Sequence, residues 1–518
     1  MIPNFSMHSL ARLILFLCLA EVAGAQPSPS GQAPQRPVDY DFTRENEQST
    51  KLDLDRMDPA ELRRVFEERR KRVLRATPEG AMLVFSVEQA QPRRLEFQVP
   101  HSENHDFIYL TGIEGLDSFD SAILLLSTPE KDWVVLYTSA APEEIREMSG
   151  IEEVRPISKL EEDFSVALTD YRDWRITQIR RWPLPMALAK KWGNERKAIY
   201  LNYPRFLRLG MPEPVRFEFF EKLKHFSPEI ELRDSADILD RVRMFQDAYS
   251  LASLRRAVRI TGEGTVEALR AVQPGMTELE VMEIMDFVYR YRGAYLGFPT
   301  SVRAMPMSGR REGRSIPEGF IQFVPRSSAG FLSPGELVHV DTGAAFNHHS
   351  ADVQRTIPVD GKFTAEQSRF YDIALNVQKT VISRIRPGVT WWELHNLAVE
   401  MLRKAGGYDK YYTYGIGHFL GMEVHDEGDY ERPLQPGMAL TIEQGVAIPD
   451  GPRFALEDDV LVTEEGHEWL TRFIPIERNE LEAMKKNPGS FDVFVKKPAL
   501  SLAPENVPIE KSADLVKK

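Results

Sequence analysis

Gln273-Pro274-Gly275-Met276-Thr277-Glu278-Leu279-Glu280 and Arg386-Pro387-Gly388-Val389-Thr390-Trp391-Trp392-Glu393 decide how this chain is read, because the second stretch echoes the first. In each, Pro-Gly makes a turn and Thr-x-x-Glu makes a capping box, where hydroxyl and carboxylate each satisfy a backbone N–H at a helix start. An amphipathic stretch of helix length follows both, 281–292 before Gly293 and 394–404 before Gly406. The echo predicts a duplicated half inside a region running from 236 to 484. A duplicated half implies pseudo-twofold symmetry and places a site at the seam.

Outward from that region, the segment 57–235 carries short apolar runs separated by turn residues: Gly80-Ala-Met-Leu-Val-Phe-Ser86, Ser121-Ala-Ile-Leu-Leu-Leu-Ser127 and Trp133-Val-Val-Leu-Tyr137. These predict buried strands alternating with helices, an α/β domain. Residues 171–208 hold ten Lys or Arg against Asp173 and Glu195, interleaved with aromatics. That pattern is read as an amphipathic helical insertion or subunit contact rather than a nucleic-acid surface. Residues 26–56, rich in Pro, Gln and Ser, are expected to be a flexible leader, and 485–518 an irregular tail. Residues 1–25 read as a secretory signal: Arg12, an apolar run at 13–20, then Ala23-Gly24-Ala25 as a cleavage site. Secretion or a periplasmic location is the expectation.

The chain has 518 residues, enough for two domains. Its 78 Asp and Glu against 65 Lys and Arg give a formal charge of −13, which argues against nucleic acid as a partner. No run beyond the leader approaches the length of a membrane span. Cys18, the one cysteine, falls within the leader. Disulfides and thiolate zinc clusters are therefore ruled out, and any metal must be held by Asp, Glu and His.

Such residues recur at strand ends. Leu337-Val-His-Val-Asp341-Thr-Gly343 reads as a strand ending on an acid, and Asp352 opens Asp352-Val-Gln-Arg-Thr-Ile357 after a hairpin-like connection. A hairpin would bring Asp341 and Asp352 face to face, where a cation or a shared proton is needed. Tyr414-Gly-Ile-Gly-His418 is a Gly-spaced turn with an imidazole, and His425-Asp426 follows. Ala439-Leu-Thr-Ile-Glu443 and Phe454-Ala-Leu-Glu457-Asp-Asp-Val460 each carry an acid in an apolar context, where a carboxylate must be paired or metal-bound. Four carboxylates and one imidazole suit two divalent ions such as Mn²⁺, Co²⁺, Fe²⁺ or Zn²⁺.

The order Asp, Asp, Gly-x-Gly-His, strand Glu, final Glu resembles the pita-bread metallopeptidases. Asp352-Val-Gln-Arg-Thr-Ile-Pro-Val-Asp-Gly-Lys-Phe-Thr364 and Gly417-His-Phe-Leu-Gly-Met-Glu-Val-His-Asp426 are similar to aminopeptidase P and prolidase. His101-Ser-Glu-Asn-His-Asp-Phe-Ile-Tyr-Leu-Thr-Gly112 resembles the N-terminal domain of the same family. The resemblance implies an α/β N-terminal creatinase/aminopeptidase P-like domain (57–235) and an α+β pita-bread catalytic domain (236–484). It implies Asp352 and Glu457 as bridging ligands of two metal ions, Mn²⁺ foremost, with His418 and Glu443 on one ion and Asp341 on the other. A water held between the ions would become a hydroxide nucleophile. Glu443 would take its proton and pass it to the leaving nitrogen, and His425 would donate to the developing oxyanion. Peptides with proline at the second position are the implied substrates, and a homodimer or homotetramer the implied assembly.

Three positions depart from the family pattern. Tyr414 stands where a histidine precedes the metal histidine, no histidine lies near Phe323 and Val324, and Ala455 replaces an arginine before Glu457. The pocket that reads the peptide is thus expected to be altered, with Tyr414 and Arg453 as pocket candidates and His348 and His349 as possible substitutes. An Xaa-Pro aminopeptidase is the leading reading, and an Xaa-Pro dipeptidase or a broader aminopeptidase the alternative. A catalytically silent binding protein would be expected to have lost ligands, and all five are present.

Overall fold

The computed structural model describes residues 40–77, 79–86, 104–115, 120–168, 183–194, 197–202, 217–305, 331–412, 415–447 and 453–486. The first domain is built on six strands: β1 (Ala81–Phe85), β2 (Ala122–Ser127), β3 (Asp132–Thr138), β4 (Glu153–Pro156), β5 (Ala198–Leu201) and β6 (Glu231–Asp234). Their order is β4-β3-β2-β1-β5-β6. The β2 strand runs antiparallel to β1 and β3, while β3–β4, β1–β5 and β5–β6 are parallel. Leu83 and Phe85 join the core on one face of the sheet, and Met82 and Val84 join the core on the other. A strand covered on both faces reads as a continuous apolar run, which is why β1 and β2 are visible in the sequence.

Three expectations fail here. Residues 183–201 are no peripheral insertion. Helix Pro183–Asn194 buries Leu184, Leu188 and Trp192 in the core, and β5 lies inside the sheet between β1 and β6. The remainder of 171–208 lies largely outside the described residues. The segment expected as a loose leader is also structured at 40–56. Helix Phe42–Ser49 is capped by Asp41, and Tyr40 and Phe42 are buried in the core of the second domain. The Tyr40 hydroxyl donates to the Gln246 carbonyl at 3.0 Å. Residues 1–39 and 487–518, holding the expected signal and nearly all of the tail, lie outside the described residues. The expected boundary at 235 and 236 also cuts too early, since Ile238, Leu239 and Val242 of helix Ala236–Arg243 pack into the first domain.

The second domain has two sheets, the larger backed by helices. Short strands β7 (Tyr295–Leu296), β10 (Ala344–Phe346) and β11 (His349–Ser350) form a small sheet. The large one contains β8 (Ser301–Met305), β9 (Leu337–Thr342), β12 (Val353–Pro358), β13 (Ala439–Ala447) and β14 (Arg453–Val462), in the order β13-β14-β12-β9-β8, with β15 (His467–Trp469) beside β14. Val302, Val338, Val340, Ile357 and Leu456, on one face, pack into a core with helices Ala248–Ala271, Glu278–Tyr291 and Ala365–Ile382. The other face is left for the site.

The echo is realised almost atom for atom. Thr277 and Glu280 cap helix Glu278–Tyr291, and Thr390 and Glu393 cap helix Trp391–Lys404. In both boxes the backbone N–H of the threonine donates to the glutamate at 2.7 Å, and the glutamate N–H donates to the threonine hydroxyl at 3.2 Å. Gly275 and Gly388 hold φ near +91° and +88°, a region costly for a side chain with Cβ. Each also donates its N–H to a leucine carbonyl, Leu332 and Leu434, at 2.9 Å. Replacing Thr390 by Ala is expected to destabilise the catalytic domain by about 1 kcal/mol. Urea unfolding followed by the fluorescence of the neighbouring Trp391 and Trp392 measures it, and an unshifted midpoint would contradict the capping role.

Candidate metal centre

Antiparallel pairing draws the site as a grid. Asp341 on β9 lies opposite Gln354 on β12, Gln354 opposite Glu457 on β14, and Glu457 opposite Glu443 on β13. Cross-strand partners share a face, so three of the acids stand in one row. Asp352 precedes Gln354 by two residues and therefore projects from the same face, one row along. The expected face-to-face pairing of Asp341 and Asp352 is corrected: the two stand diagonally, and Gln354 occupies the position across from Asp341. No local signal in the sequence marks Gln354.

His418 is delivered from a loop against this face. Gly417 holds φ of +140°, and a Cβ there would meet the Thr441 carbonyl oxygen at 2.2 Å, so only glycine lets the loop lie this close. The His418 N–H donates to Thr441 Oγ1 at 3.1 Å, and the Thr441 N–H donates to the His418 carbonyl at 2.8 Å. His418 Nδ1 lies 3.1 Å from the Phe419 carbonyl and must donate to it, which assigns Nε2 as the free lone pair of the neutral ring. Nε2 is 3.5 Å from Asp352 Oδ2 and 3.6 Å from Glu457 Oε1.

Asp352, His418 and Glu457 are buried and present ligand atoms within 4.8 Å of one another. Both Glu457 oxygens and Asp352 Oδ1 are buried without a hydrogen-bond donor. Unpaired buried carboxylate oxygens are costly, and a divalent ion supplies what they lack. The electrostatics of the metal-free protein carry the same strain. Burial, then the Glu457 charge, pushes Asp352 well above the carboxylate range. Burial, then Glu457 and Asp341, raises Glu443 to about 8. For His418, burial disfavours the charged ring, yet contact with Asp352 and Glu457 raises it well above the ordinary value. The residues present thus fit divalent cations: hard oxygen donors, one imidazole and no competing lysine or arginine in the row.

Behind the row, the fully buried Arg355 holds the backbone in place. It donates to the carbonyls of Gln354 at 2.9 Å and Glu457 at 2.7 Å, and to Asp458 Oδ1 at 2.8 Å. Asp459, also buried, accepts the Asp352 N–H at 3.2 Å. Neither Asp458 nor Asp459 is a ligand here; both secure the strands that carry ligands.

His425 is exposed, with its ring centroid 4.1 Å from that of His418. Its neighbour Asp426 is gripped by Arg243 at 2.5 Å, and Arg243 also pairs with Asp106 of the first domain at 2.7 Å. Asp426 accepts the Met422 N–H at 2.9 Å, so the whole turn is anchored at the domain junction. The two candidate substitutes have partners of their own. His348 sits at φ +62° and pairs with Glu114 of the first domain, while His349 is buried and lowered to about 3, first by burial and then by Arg69. Tyr414 lies outside the described residues, and Arg453 opens β14 with its side chain likewise outside them. Tyr412 donates to the Gly415 carbonyl at 2.8 Å and so packs on the turn.

Residues 252–464 match metallopeptidase family M24, and residues 66–175 match the N-terminal domain of aminopeptidase P. The chain is 30% identical over 294 residues to the Xaa-Pro dipeptidase of Pyrococcus furiosus, covering 56% of this chain and 79% of that one. It is 26% identical over 464 residues to the Xaa-Pro aminopeptidase of Escherichia coli K12, covering 82% and 97%. The solved structure of proline aminopeptidase P II from Yersinia pestis has the same fold, with a TM-score of 0.63 and 23% identity over 82% of this chain and 99% of that one.

The raised Glu443 sets a pH dependence for the metal-free protein. A carboxyl higher in the folded state than in the unfolded chain stabilises folding fully below its unfolded value near 4.3. That stability is lost as pH rises through about 8. The melting temperature of metal-free protein is therefore expected to fall between pH 5 and pH 8, and saturating Mn²⁺ to reverse the fall. A pH-independent melt in chelator would contradict the burial argument.

Proposed function

The chain belongs to metallopeptidase family M24, with an aminopeptidase P N-terminal domain ahead of the catalytic one, and on that premise we propose that it is a metal-dependent Xaa-Pro aminopeptidase. It releases an N-terminal residue from peptides with proline at the second position. The observation that carries this reading is the row of acids meeting His418, with buried oxygens that lack donors. Asp341, Asp352, His418, Glu443 and Glu457 are the residues that would hold two divalent ions, with Mn²⁺ our choice among Mn²⁺, Zn²⁺, Co²⁺ and Fe²⁺. When bound, such ions supply Lewis acidity and water activation near neutral pH.

The remaining work falls to side chains. Glu443 stands at the β13 end of the row, opposite Glu457, where as a carboxylate it would accept a proton and return it to the leaving nitrogen. His425, exposed beside His418 and fixed through Asp426 and Arg243, is placed to donate to the scissile carbonyl as charge develops on it. The prolyl nitrogen carries no N–H and its ring fixes φ, which sets such substrates apart from those of general peptidases. Ala455 is buried opposite Gly445 and brings no cation to the pocket. A dipeptidase on Xaa-Pro is the second reading, favoured by the likeness to the Pyrococcus furiosus Xaa-Pro dipeptidase.

Secretion or a periplasmic location and a homodimer or homotetramer complete the proposal. The first rests on residues 1–25 and the second on family resemblance. Among the described residues no helix is long and apolar enough to cross a membrane.

Metal-loaded protein is expected to hydrolyse an Xaa-Pro-Yaa tripeptide, and chelation to abolish this. Glu443→Gln should lower kcat by about 10²- to 10⁴-fold while the protein still binds metal by elemental analysis. Comparison with an Xaa-Pro dipeptide and an Xaa-Ala-Yaa tripeptide separates the readings. Metal-bound protein that cleaves none of the three would sink the peptidase assignment, and equal rates on the alanine peptide would sink proline specificity alone.

A further inference from the structure

The same grid continues beyond the acids. On β8, Ser301 lies opposite Asp341 and Arg303 lies opposite His339; on β12, Thr356 lies opposite His339; on β13, Gly445 lies opposite Ala455. Thr356 also donates to the Ala455 carbonyl at 3.0 Å, which joins β12 to β14 at this level. Arg303, His339, Thr356, Ala455 and Gly445 therefore make a second row, two residues from the acid row and on the same face. Val302 and Val340, on the opposite face, are buried in the core, so Arg303 and His339 lie on the face that carries the acids.

The composition of the row is specific. Thr356, Ala455 and Gly445 are small, buried and uncharged. His339 is buried, with Thr356 Oγ1 3.5 Å from its Nδ1. Arg303 is half-buried, and among the described residues no carboxylate pairs with its guanidinium although the chain carries a net charge of −13. A guanidinium held partly out of water is best satisfied by a planar carboxylate that engages its fork.

Its position decides which part of a substrate brings that carboxylate. Glu443, which returns a proton to the leaving nitrogen, lies at the far end of the row on β13. Arg303 lies at the other end on β8, next to the strand that carries Asp341. The leaving proline is therefore toward β13, and the N-terminal residue toward β8 and β9. The Cα atoms of Arg303 and Asp341 are about 8 Å apart on the sheet lattice, one strand spacing across and two residues along. That span suits an arginine meeting the side chain of an N-terminal residue held at the Asp341 end of the row.

We propose that Arg303, flanked by His339, forms a subsite for a carboxylate on the substrate's N-terminal residue, so that the enzyme prefers Glu-Pro or Asp-Pro peptides over neutral Xaa-Pro peptides. This rests on the peptidase reading above and names its substrate class. Arg303 is a specificity-determining residue that has no part in the bond-breaking step.

The test compares Glu-Pro-Gly with the near-isosteric Gln-Pro-Gly on the metal-loaded full chain. The expected kcat/KM ratio is roughly 10- to 100-fold in favour of Glu, the worth of one charge-assisted pair. Arg303→Met should bring the ratio to about 1, and Arg303→Lys should leave it intermediate. A ratio does not depend on how much of a variant is folded, so loss of protein does not imitate the result. Calorimetric binding of both peptides to metal-loaded Glu443→Gln protein reads the same preference without turnover, so failed hydrolysis would strike the peptidase reading and leave the subsite measurable. A ratio near 1 with Arg303 present, or one unchanged in Arg303→Met, overturns the proposal. So does an Arg303 effect that appears only between Gln-Pro and Gln-prolinamide, since the carboxylate read would then be the C-terminal one.

Discussion

Glu457 is fully buried, and neither of its oxygens has a hydrogen-bond donor. The structure depends on resolving that. A carboxylate in such a place is tolerated only if it is protonated or meets a cation, and the surroundings favour the cation. Asp352 and His418 converge on the same point, the His418 tautomer leaves Nε2 as a lone pair, and Asp341 and Glu443 extend the acids along one row. Arg355 works from behind the sheet. Its guanidinium is satisfied by carbonyls and by Asp458, so its charge fixes strand register and leaves the acid row for metal.

The two domains share this centre. Arg243 ties Asp106 of the first domain to Asp426, next to His425. Arg69 reaches from helix Pro59–Ala76 to Asp247 at 2.7 Å, the residue that caps helix Ala248–Ala271. Burial, opposed by Arg69, leaves Asp247 held below the usual carboxylate range. Breaking either pair would strand a buried charge, which makes the junction a specific one. The N-terminal domain is thus part of the support for the catalytic loop.

What the sequence makes legible is what local chemistry encodes. Pro-Gly-x-Thr-x-x-Glu needs only neighbours to cap a helix, and both copies do so with matching distances. Acids in apolar strands are anomalous wherever they occur, so Glu443 and Glu457 stand out before any fold is known. Register is different. That Gln354 faces both Asp341 and Glu457, or that Arg303 shares their face, depends on which strand pairs with which, and no short window holds that information. The segment around β5 is misleading for a related reason: four apolar residues among many cations read as surface, yet β1 and β6 bury all four. Phe42–Ser49 is polar in all but one position, and its anchoring by Tyr40 and Phe42 comes from residues hundreds of positions away.

That last contact has a temporal side. Tyr40 and Phe42 share a core with Val460, Leu461 and Val462, so an early segment completes the interior formed by a late one. On a ribosome adding about 5 to 20 residues per second, Tyr40 emerges roughly 20 to 80 s before Val462. Through that interval the first domain can close on its own sheet, but the segment before it has no finished surface to receive it. Tyr40 and Phe42 are therefore among the last to settle, and the catalytic domain is sealed by residues that have waited for it.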